Sequence, residues 1–191
     1  MQNETGGQII GYGFSKKGDR TFQAFDPVKQ EAIPELFTDA TAGELNAAVE
    51  KASAAFKAYG KLPGKVKAAF LEGIAGAIEA LGEELLRAAG QETGLPPGRL
   101  TGERGRTVNQ LRLFARLLEN GSWVNARIDK ADPGKQQPDL RQMQIPLGPI
   151  GVFGASNFPL AFSTAGGDTA SALAAGCPVV YKEHPGHPQT S

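Results

Sequence analysis

Two loops near the carboxyl end of the sequence carry residue types that could bind a nucleotide. The first, GASNFP at residues 154–159, joins the small residues Gly154, Ala155 and Ser156 to the amide side chain of Asn157. The second begins at Lys182, after an apolar run, and offers an ammonium group. Small residues let a ligand approach the main chain closely, and backbone amides, an amide side chain and a cation together suit a nucleotide. Glycine-rich turns are common, however, and the strict G-x-G-x-x-G fingerprint is not present.

A βαβ unit must position these loops. GPIGVFGAS contains a short buried-strand pattern, AFSTAGGDTASALAAG is a small-residue helix ending at Gly176, and residues 178–181 form a second apolar run. Gly166 and Gly167 would let the crossover helix pack tightly. Because ligands bind beyond the carboxyl ends of strands in open α/β sheets, we expect the two loops to lie side by side.

The amino-terminal part of the sequence predicts an extended segment followed by a helix. The first 40 residues mix short β-like segments with turn signals. Thr41 then begins a helix, because Glu44 three positions later completes a capping box that satisfies free amide hydrogens of the first turn. We expect this helix to end near Tyr59 and Gly60.

Two further helices are predicted by apolar residues at intervals of three and four. One continuous helix runs through residues 66–85 to about Gly90, and the other spans about residues 99–119 before Asn120 and Gly121. The apolar and small side chains expected to face the core in the three helices are Leu45, Val49, Ala52, Phe56, Val66, Phe70, Ile74, Ile78, Leu81, Leu85, Leu100, Thr107, Leu111, Phe114 and Leu118.

A projecting β-hairpin is predicted between the helices and the βαβ unit. Residues 123–128 and 140–145 have strand-like patterns, and an Asp-Pro-Gly turn at residues 132–134 separates them. The chain therefore divides into residues 1–121, the hairpin at 122–146, and the βαβ unit at 147–191. The last residues, HPGHPQTS, follow a strand with nothing after it to cover the sheet, so we expect the chain to stop in mid-fold.

Composition excludes several function classes. Twenty Lys and Arg balance 20 Asp and Glu, so the field that attracts nucleic acid or an acidic membrane is missing. The single cysteine excludes an intramolecular disulfide framework and favours a reducing compartment. The first residues lack the features of a secretory signal, and no segment has the about 20 apolar residues needed to cross a bilayer. We expect a soluble, cytoplasmic protein that binds neither nucleic acid nor membrane.

Ordinary structural roles compete with chemistry at several of these residues. Cys177 stands at the start of an apolar strand, where a small buried side chain is normal and thiolate formation is disfavoured. His184 and His187 form an H-x-x-H, but no cysteine or carboxylate has ligand spacing to them, so we predict no metal site. Asn157 by itself would be a turn or helix-capping residue, and Lys182 a solvated strand end.

The sequence resembles the aldehyde dehydrogenase superfamily. The stretch GPIGVFGASNFPLAFSTAGGDTASALAAGCPVVYKEHPGHP is similar to the start of its dinucleotide domain. The segments FLEGIAGAIEALGEELLRAAGQETGLPPGRLTGERGRT and QLRLFARLLENGSW resemble the subgroup that oxidises α-ketoglutarate semialdehyde (2,5-dioxopentanoate) and similar aldehydes, often with NADP. The implied fold is α/β: the amino-terminal part of the aldehyde dehydrogenase fold, with helices, a projecting hairpin, and the first βαβ unit of a Rossmann-like dinucleotide domain.

The resemblance implies roles for individual residues. Asn157 stands where the family keeps an asparagine that donates to the substrate oxygen as it gains negative charge, and such donors contribute about 3 to 4 kcal/mol. Lys182 would hold hydroxyls of the adenosine ribose. Pro185 occupies a position where glutamate often accompanies NAD and a neutral residue NADP; Glu183 leaves this choice open, so the cofactor is NADP or NAD. The residues expected to line the cofactor channel are Phe153, Ala155, Ser156 and Phe158.

The resemblance also implies that part of the machinery lies elsewhere. Family members attack the aldehyde with a cysteine thiolate and activate water with a glutamate, and both follow the matched segment, so we expect no turnover from these 191 residues alone. In the family, a hairpin of this kind helps to assemble oligomers, which predicts a homo-oligomer for the full-length protein. A free-standing nucleotide-binding or subunit-docking module, a pseudogene product, and a reductase of the same fold remain alternatives.

Overall fold

The amino-terminal arm is extended, as predicted. The computed structural model describes residues 5–191; the first part of the predicted arm, residues 1–4, lies outside the described residues. The arm contains two antiparallel pairs, β1 (Gln8–Ile10) with β2 (Gly13–Ser15), and β3 (Thr21–Asp26) with β4 (Glu31–Thr38).

The first helix, α1 (Ala42–Tyr59), begins with the predicted capping box. The Glu44 amide donates to the Thr41 hydroxyl oxygen at 3.1 Å, and the Thr41 amide donates to the Glu44 carboxylate at 2.8 Å. The same carboxylate accepts from the Ser15 hydroxyl at 2.6 Å, which ties the helix to the arm. The hydrogen bonds from Ser15 and Thr41 hold the pKa of Glu44 at about 2.

The second predicted helix is two helices, α2 (Gly64–Ala80) and α3 (Gly82–Thr93). The prediction of one continuous helix was wrong because Gly82 adopts φ +55°, a left-handed conformation that interrupts a right-handed helix. The apolar spacing continues across the break, and so the sequence pattern concealed it.

The core lies where α2 packs on α4 (Pro97–Asn120) and on the helix of the βαβ unit. The core prediction for α4 is confirmed at Leu100, Thr107, Leu111 and Leu118, which are all buried. It was wrong for Leu45, Val49, Val66, Phe70 and Leu81, which are 44–53% exposed. The buried residues of α2 include Leu71 together with Ala68 and Ala75, and the two small alanine side chains let the helices approach closely. None of the helices within residues 5–191 has the length and apolarity that a bilayer-spanning segment needs.

The predicted hairpin is present but has shorter strands. Residues 122–124 form a 3-10 turn, and β5 (Arg127–Asp129) pairs antiparallel with β6 (Leu140–Gln142). All six strand residues are exposed. The hairpin therefore projects from the helical core, as the sequence predicts.

The carboxyl-terminal part is a βαβ unit in which β7 (Ile150–Phe153) and β8 (Val179–Lys182) are parallel neighbours. Its helix, α5 (Gly167–Ala175), is shorter than the predicted segment, because residues 161–166 form turns. A Cβ at Gly166 would lie 2.5 Å from the Ala161 carbonyl oxygen, so this turn depends on glycine. Cys177, which precedes β8, is 3% exposed, in accord with a structural role.

Candidate functional site

The two predicted loops lie side by side at the carboxyl ends of β7 and β8. Phe153 pairs with Lys182 in the last register position of the two strands, and the Gly154 amide donates to the Lys182 carbonyl oxygen at 2.9 Å. This confirms the juxtaposition expected from the parallel topology. The Asn157 loop and the Lys182 loop consequently form one edge of the sheet.

The backbone amides of the first loop divide into two groups. Those of Gly154 and Ala155 are already used, the first by Lys182 and the second by the Phe162 carbonyl oxygen at 3.0 Å. The amides of Ser156, Asn157 and Phe158 have no acceptor within the described residues. Only the second group is available to a ligand, which narrows the set of donors that the sequence suggested.

Gly154 serves the protein's own packing. A Cβ at this position would lie 2.1 Å from the Tyr181 hydroxyl oxygen, so glycine is required for Tyr181 to occupy its place. The Tyr181 hydroxyl lies 3.2 Å from the Ser163 hydroxyl and so links β8 to the turn after Asn157. The close approach predicted for a ligand is made here by a tyrosine side chain.

Asn157 is exposed, and its side-chain amide makes no hydrogen bond within residues 5–191. Its backbone carbonyl accepts from Arg99 Nη2 at 2.9 Å. The residue faces a polar cleft of about 370 Å³ together with Ser156 and Phe158. The main chain of Asn157 is therefore held by α4, while its amide remains available as a donor.

Glu103 on α4 holds the turn that follows Asn157. Its Oε1 accepts from the backbone amides of Leu160 and Ala161 at 2.9 and 3.0 Å, and the residue is 6% exposed. Paired acceptance of this kind satisfies amides that would otherwise be buried without a partner. Arg99 and Glu103, one helical turn apart, thus attach the Asn157 loop to α4 at two points.

Two arginines stack on the aromatic rings of this turn. Arg99 lies 5.2 Å from the Phe158 ring centre, and Arg106 lies 5.6 Å from Phe158 and 5.2 Å from Phe162. The Phe158 and Phe162 rings meet edge to face at 5.3 Å. Phe158, which the sequence predicts to line a cofactor channel, therefore contacts two cations of α4 and a neighbouring ring.

The two histidines have internal structural partners. His187 is completely buried, and its Nε2 lies 2.8 Å from the Ala155 carbonyl oxygen, so Nε2 carries the proton and donates. His184 Nδ1 accepts from the Gly186 amide at 3.0 Å. Burial, the adjacent His187 and Lys182 all lower the pKa of His184. No group of three metal-ligating side chains occurs in the part of the chain that the structure describes.

The Lys182 loop presents a cation beside a carboxyl group of raised pKa. Lys182 is exposed and donates to the Glu183 carbonyl oxygen at 2.9 Å, which leaves two of its three donors for a ligand. Burial, aided by the charge of Glu92 and opposed by Lys182, raises the pKa of Glu183 to about 7. Pro185 is exposed two residues further on.

Glu92 fastens the end of this loop to α3. Its carboxylate accepts from the amides of Gln189 and Thr190, both at 2.8 Å, and from the Thr190 hydroxyl at 2.6 Å, although the residue is only 4% exposed. The Ser191 amide donates to the His187 carbonyl oxygen at 3.2 Å, a helical-turn geometry. A carboxylate at the start of such a turn complements its free amides.

The predicted site residues do not all share one cavity. Ser156, Asn157 and Phe158 border the polar cleft with Arg99 and Glu92. Phe153 is 74% exposed and borders a separate apolar cavity of about 430 Å³, which Cys177 also lines. Ala155 lies at the start of the loop between these two groups, and Lys182 and Pro185 border neither cavity.

The residues missing from the sequence-based site are the α3 and α4 side chains that hold its loops: Glu92, Arg99, Glu103 and Arg106. A weak signal exists for three of them, because Arg99, Glu103 and Arg106 are spaced by four and three and share one helical face. Glu92 and Glu103 contact residues 57–98 positions away, and no local pattern reports such contacts.

The sequence of this chain is similar to those of known proteins. The chain matches the aldehyde dehydrogenase family over residues 14–191. It is 52% identical to alpha-ketoglutaric semialdehyde dehydrogenase 2 of Azospirillum brasilense, with 98% of this chain and 36% of the relative covered. It is 47% identical to the alpha-ketoglutaric semialdehyde dehydrogenase of Acinetobacter baylyi, with 100% of this chain and 37% of the relative covered.

The fold also matches solved structures. The betaine aldehyde dehydrogenase of Staphylococcus aureus superimposes with a TM-score of 0.85 at 21% identity, over 99% of this chain and 37% of that protein. At that identity the likeness concerns the fold alone. The chain spans little more than a third of the length of the curated relatives it matches. The family match covers nearly the whole described chain, and the chain therefore belongs to the aldehyde dehydrogenase family.

Proposed function

We propose that this chain forms the amino-terminal part of an NAD(P)-dependent aldehyde dehydrogenase and supplies its oxyanion donor and part of its cofactor site. The observation that carries the proposal is the side-chain amide of Asn157, which has no partner among residues 5–191, beside the equally unpaired backbone amides of Ser156 and Asn157 at the carboxyl edge of the sheet. A donor fixed in advance where charge develops lowers the barrier without reorganisation.

The proposed substrate is α-ketoglutarate semialdehyde, which would be oxidised to the carboxylate. Support comes from the two relatives at 52% and 47% identity, both of which are α-ketoglutaric semialdehyde dehydrogenases. The cysteine nucleophile and the water-activating glutamate of the family would come from the part of the relatives' length that this chain does not cover.

The residues at the strand ends fit a dinucleotide cofactor. Lys182 has donors to spare for ribose hydroxyls, its register partner Phe153 is exposed, and Ser156 is exposed on the loop that follows Phe153. The cofactor supplies the hydride acceptor. A Glu183 pKa of about 7 and the neutral Pro185 side chain reduce the negative charge that would repel a 2′-phosphate, which favours acceptance of NADP as well as NAD.

In this proposal the residues of the chain orient the substrate and the cofactor and stabilise the negative charge that develops on the substrate oxygen. The Asn157 amide would donate to the substrate oxygen as it becomes negative, while Arg99 and Glu103 keep its loop in place. Lys182 would fix the cofactor. Ala155 contributes through its carbonyl oxygen, which holds the buried His187 and thereby joins the two loops.

Subunit docking is a second candidate function, and the hairpin of residues 122–146 favours it. Its apolar side chains are strongly exposed, among them Ile128 at 63%, Met143 at 60% and Ile145 at 71%. Exposed apolar groups on a projecting element are typical of interfaces. We propose that this hairpin is the oligomerisation arm and that residues 147–191 begin the dinucleotide domain.

The test uses a hybrid enzyme, defined as residues 1–191 of this chain followed by the remaining carboxyl-terminal part of the Azospirillum brasilense relative. We expect it to reduce NADP⁺ or NAD⁺ when α-ketoglutarate semialdehyde is added. The control joins the same carboxyl-terminal part to the relative's own amino-terminal segment. A folded hybrid enzyme that oxidises no aldehyde, beside an active control, would refute the proposal.

A further inference from the structure

A cluster of positive charge borders the loop that carries Asn157. The Arg106 guanidinium lies over both Phe158 and Phe162, and the Arg99 guanidinium also lies over Phe158. Phe158 directly follows Asn157 in the chain. The two cations are therefore adjacent to the proposed oxyanion donor and are held in place by stacking on rings.

Two other arginines of α4 have fixed polar partners, whereas Arg106 has none within the described residues. Arg112 forms a two-pronged ion pair with Glu79 at 2.8 and 2.9 Å, and Arg104 donates to the Gly82 carbonyl oxygen at 2.8 Å. Arg106 has neither an ion pair nor a hydrogen bond within residues 5–191. Glu103, three positions earlier on the same helix face, accepts both backbone amides with Oε1, and its buried Oε2 has no hydrogen-bond partner within the described residues, so it does not pair with Arg106.

Arg99 also has N–H donors without an acceptor in the described chain. Among the described residues only its Nη2 has an acceptor, the Asn157 carbonyl oxygen, and the residue lines the cleft of about 370 Å³ that contains Asn157. A guanidinium carries five N–H donors in a planar fork that matches a carboxylate. Two such forks beside an aromatic floor provide both the charge and the apolar surface that a short acidic chain requires.

We propose that Arg106, assisted by Arg99, binds the remote carboxylate of an anionic aldehyde and so makes the enzyme selective for acidic semialdehydes over neutral aldehydes. This inference rests on the proposed function. The Phe158 and Phe162 rings would contact the methylene groups between the two ends of the substrate, while Asn157 receives the aldehyde oxygen. The carboxylate replaces the ion-pair partner that Arg106 lacks in the described chain.

The test compares two substrates in the hybrid enzyme. Succinate semialdehyde carries a carboxylate, whereas butanal has the same chain length and no charge. We expect Arg106→Gln to lower kcat/KM for succinate semialdehyde by about 10- to 100-fold, mainly through KM, because a charged hydrogen bond used in both ground and transition states is lost. For butanal we expect a change below about twofold. Arg106→Lys should restore part of the loss.

Arg116→Gln is the matched control. Arg116 lies on the same helix, is exposed and has no partner in the described chain, so the substitution removes the same charge without touching the loop. We expect it to leave both substrates unaffected. Equal losses for Arg106→Gln on both substrates, or no loss on either, would overturn the inference while leaving the proposed function intact.

If the hybrid enzyme is folded but inactive, the proposed function fails, and carboxylate binding at Arg106 is then tested separately by thermal unfolding. 2-Oxoglutarate should raise its thermal midpoint, Arg106→Gln should abolish that rise, and the neutral dimethyl ester should have no effect. A rise that persists in Arg106→Gln, or the absence of any rise, contradicts carboxylate binding at Arg106.

Discussion

Removing the Glu103 carboxyl group should release the turn that follows Asn157. In Glu103→Ala the Leu160 and Ala161 amides lose their shared acceptor, and both residues are buried, at 7% and 4% exposure. A buried donor left without a partner costs about 1–3 kcal/mol, so the two amides together should weaken local protection by about 2–6 kcal/mol. Because 1.4 kcal/mol corresponds to about tenfold, exchange of these amides should accelerate at least about 30-fold.

Hydrogen exchange of the hybrid enzyme, followed by mass spectrometry on the peptide that contains Leu160 and Ala161, measures this effect. Glu103→Gln retains an oxygen acceptor and should lose less protection than Glu103→Ala. Glu119→Ala is the control, because Glu119 lies on the same helix, is exposed and has no partner in the described residues. Unchanged exchange in Glu103→Ala would refute the claim that α4 holds the loop.

Three further predictions concern packing, pH and the sheet edge. Gly154→Ala in the hybrid enzyme should cost about 1–3 kcal/mol, since the new Cβ would lie 2.1 Å from the Tyr181 hydroxyl, whereas Gly73→Ala, in an open helix position, should stabilise by about 0.5–1 kcal/mol; equal thermal midpoints would contradict this. The raised pKa of Glu183 favours its protonated form in the folded state, so its contribution to stability is present at low pH and lost as the pH rises from about 4.5 through about 7. The difference in thermal midpoint between wild type and Glu183→Gln should vary across that window, and a constant difference would refute the assignment. The polypeptide 1–191 should self-associate, because β8 has only β7 as a strand neighbour in the described chain, and a monomer with cooperative unfolding in light scattering and denaturation would contradict this.

The sequence predicted correctly those helices and strands whose ends carry strong local signals, such as a capping box or a glycine. The Thr41 and Glu44 capping box, the Gly121 helix end and the parallel strands before Gly154 and after Cys177 are all present. Signals of this kind act over a few residues, and so the sequence reports them directly.

The sequence-based predictions were wrong where contacts between residues far apart in the chain determine the structure. Turns at residues 161–166 replace the first part of the predicted helix, and Glu103, 57 positions before Leu160, accepts the amides of Leu160 and Ala161 at their start. The face of α2 that packs on α4 contains Ala68 and Ala75, whereas the sequence predicted the face that carries the larger apolar residues. Asn157 and Lys182 were placed by resemblance, whereas the cations that surround Phe158 emerged only from the structure.

The availability of the Asn157 amide is the central claim, and kinetics of Asn157→Ala in the hybrid enzyme test it most directly. Loss of one oxyanion donor should reduce kcat for semialdehyde oxidation by about 100- to 1,000-fold, with cofactor binding retained. Ser156→Ala, on the neighbouring exposed residue, serves as the control and should change kcat far less. A kcat for Asn157→Ala equal to that of Ser156→Ala would contradict the account.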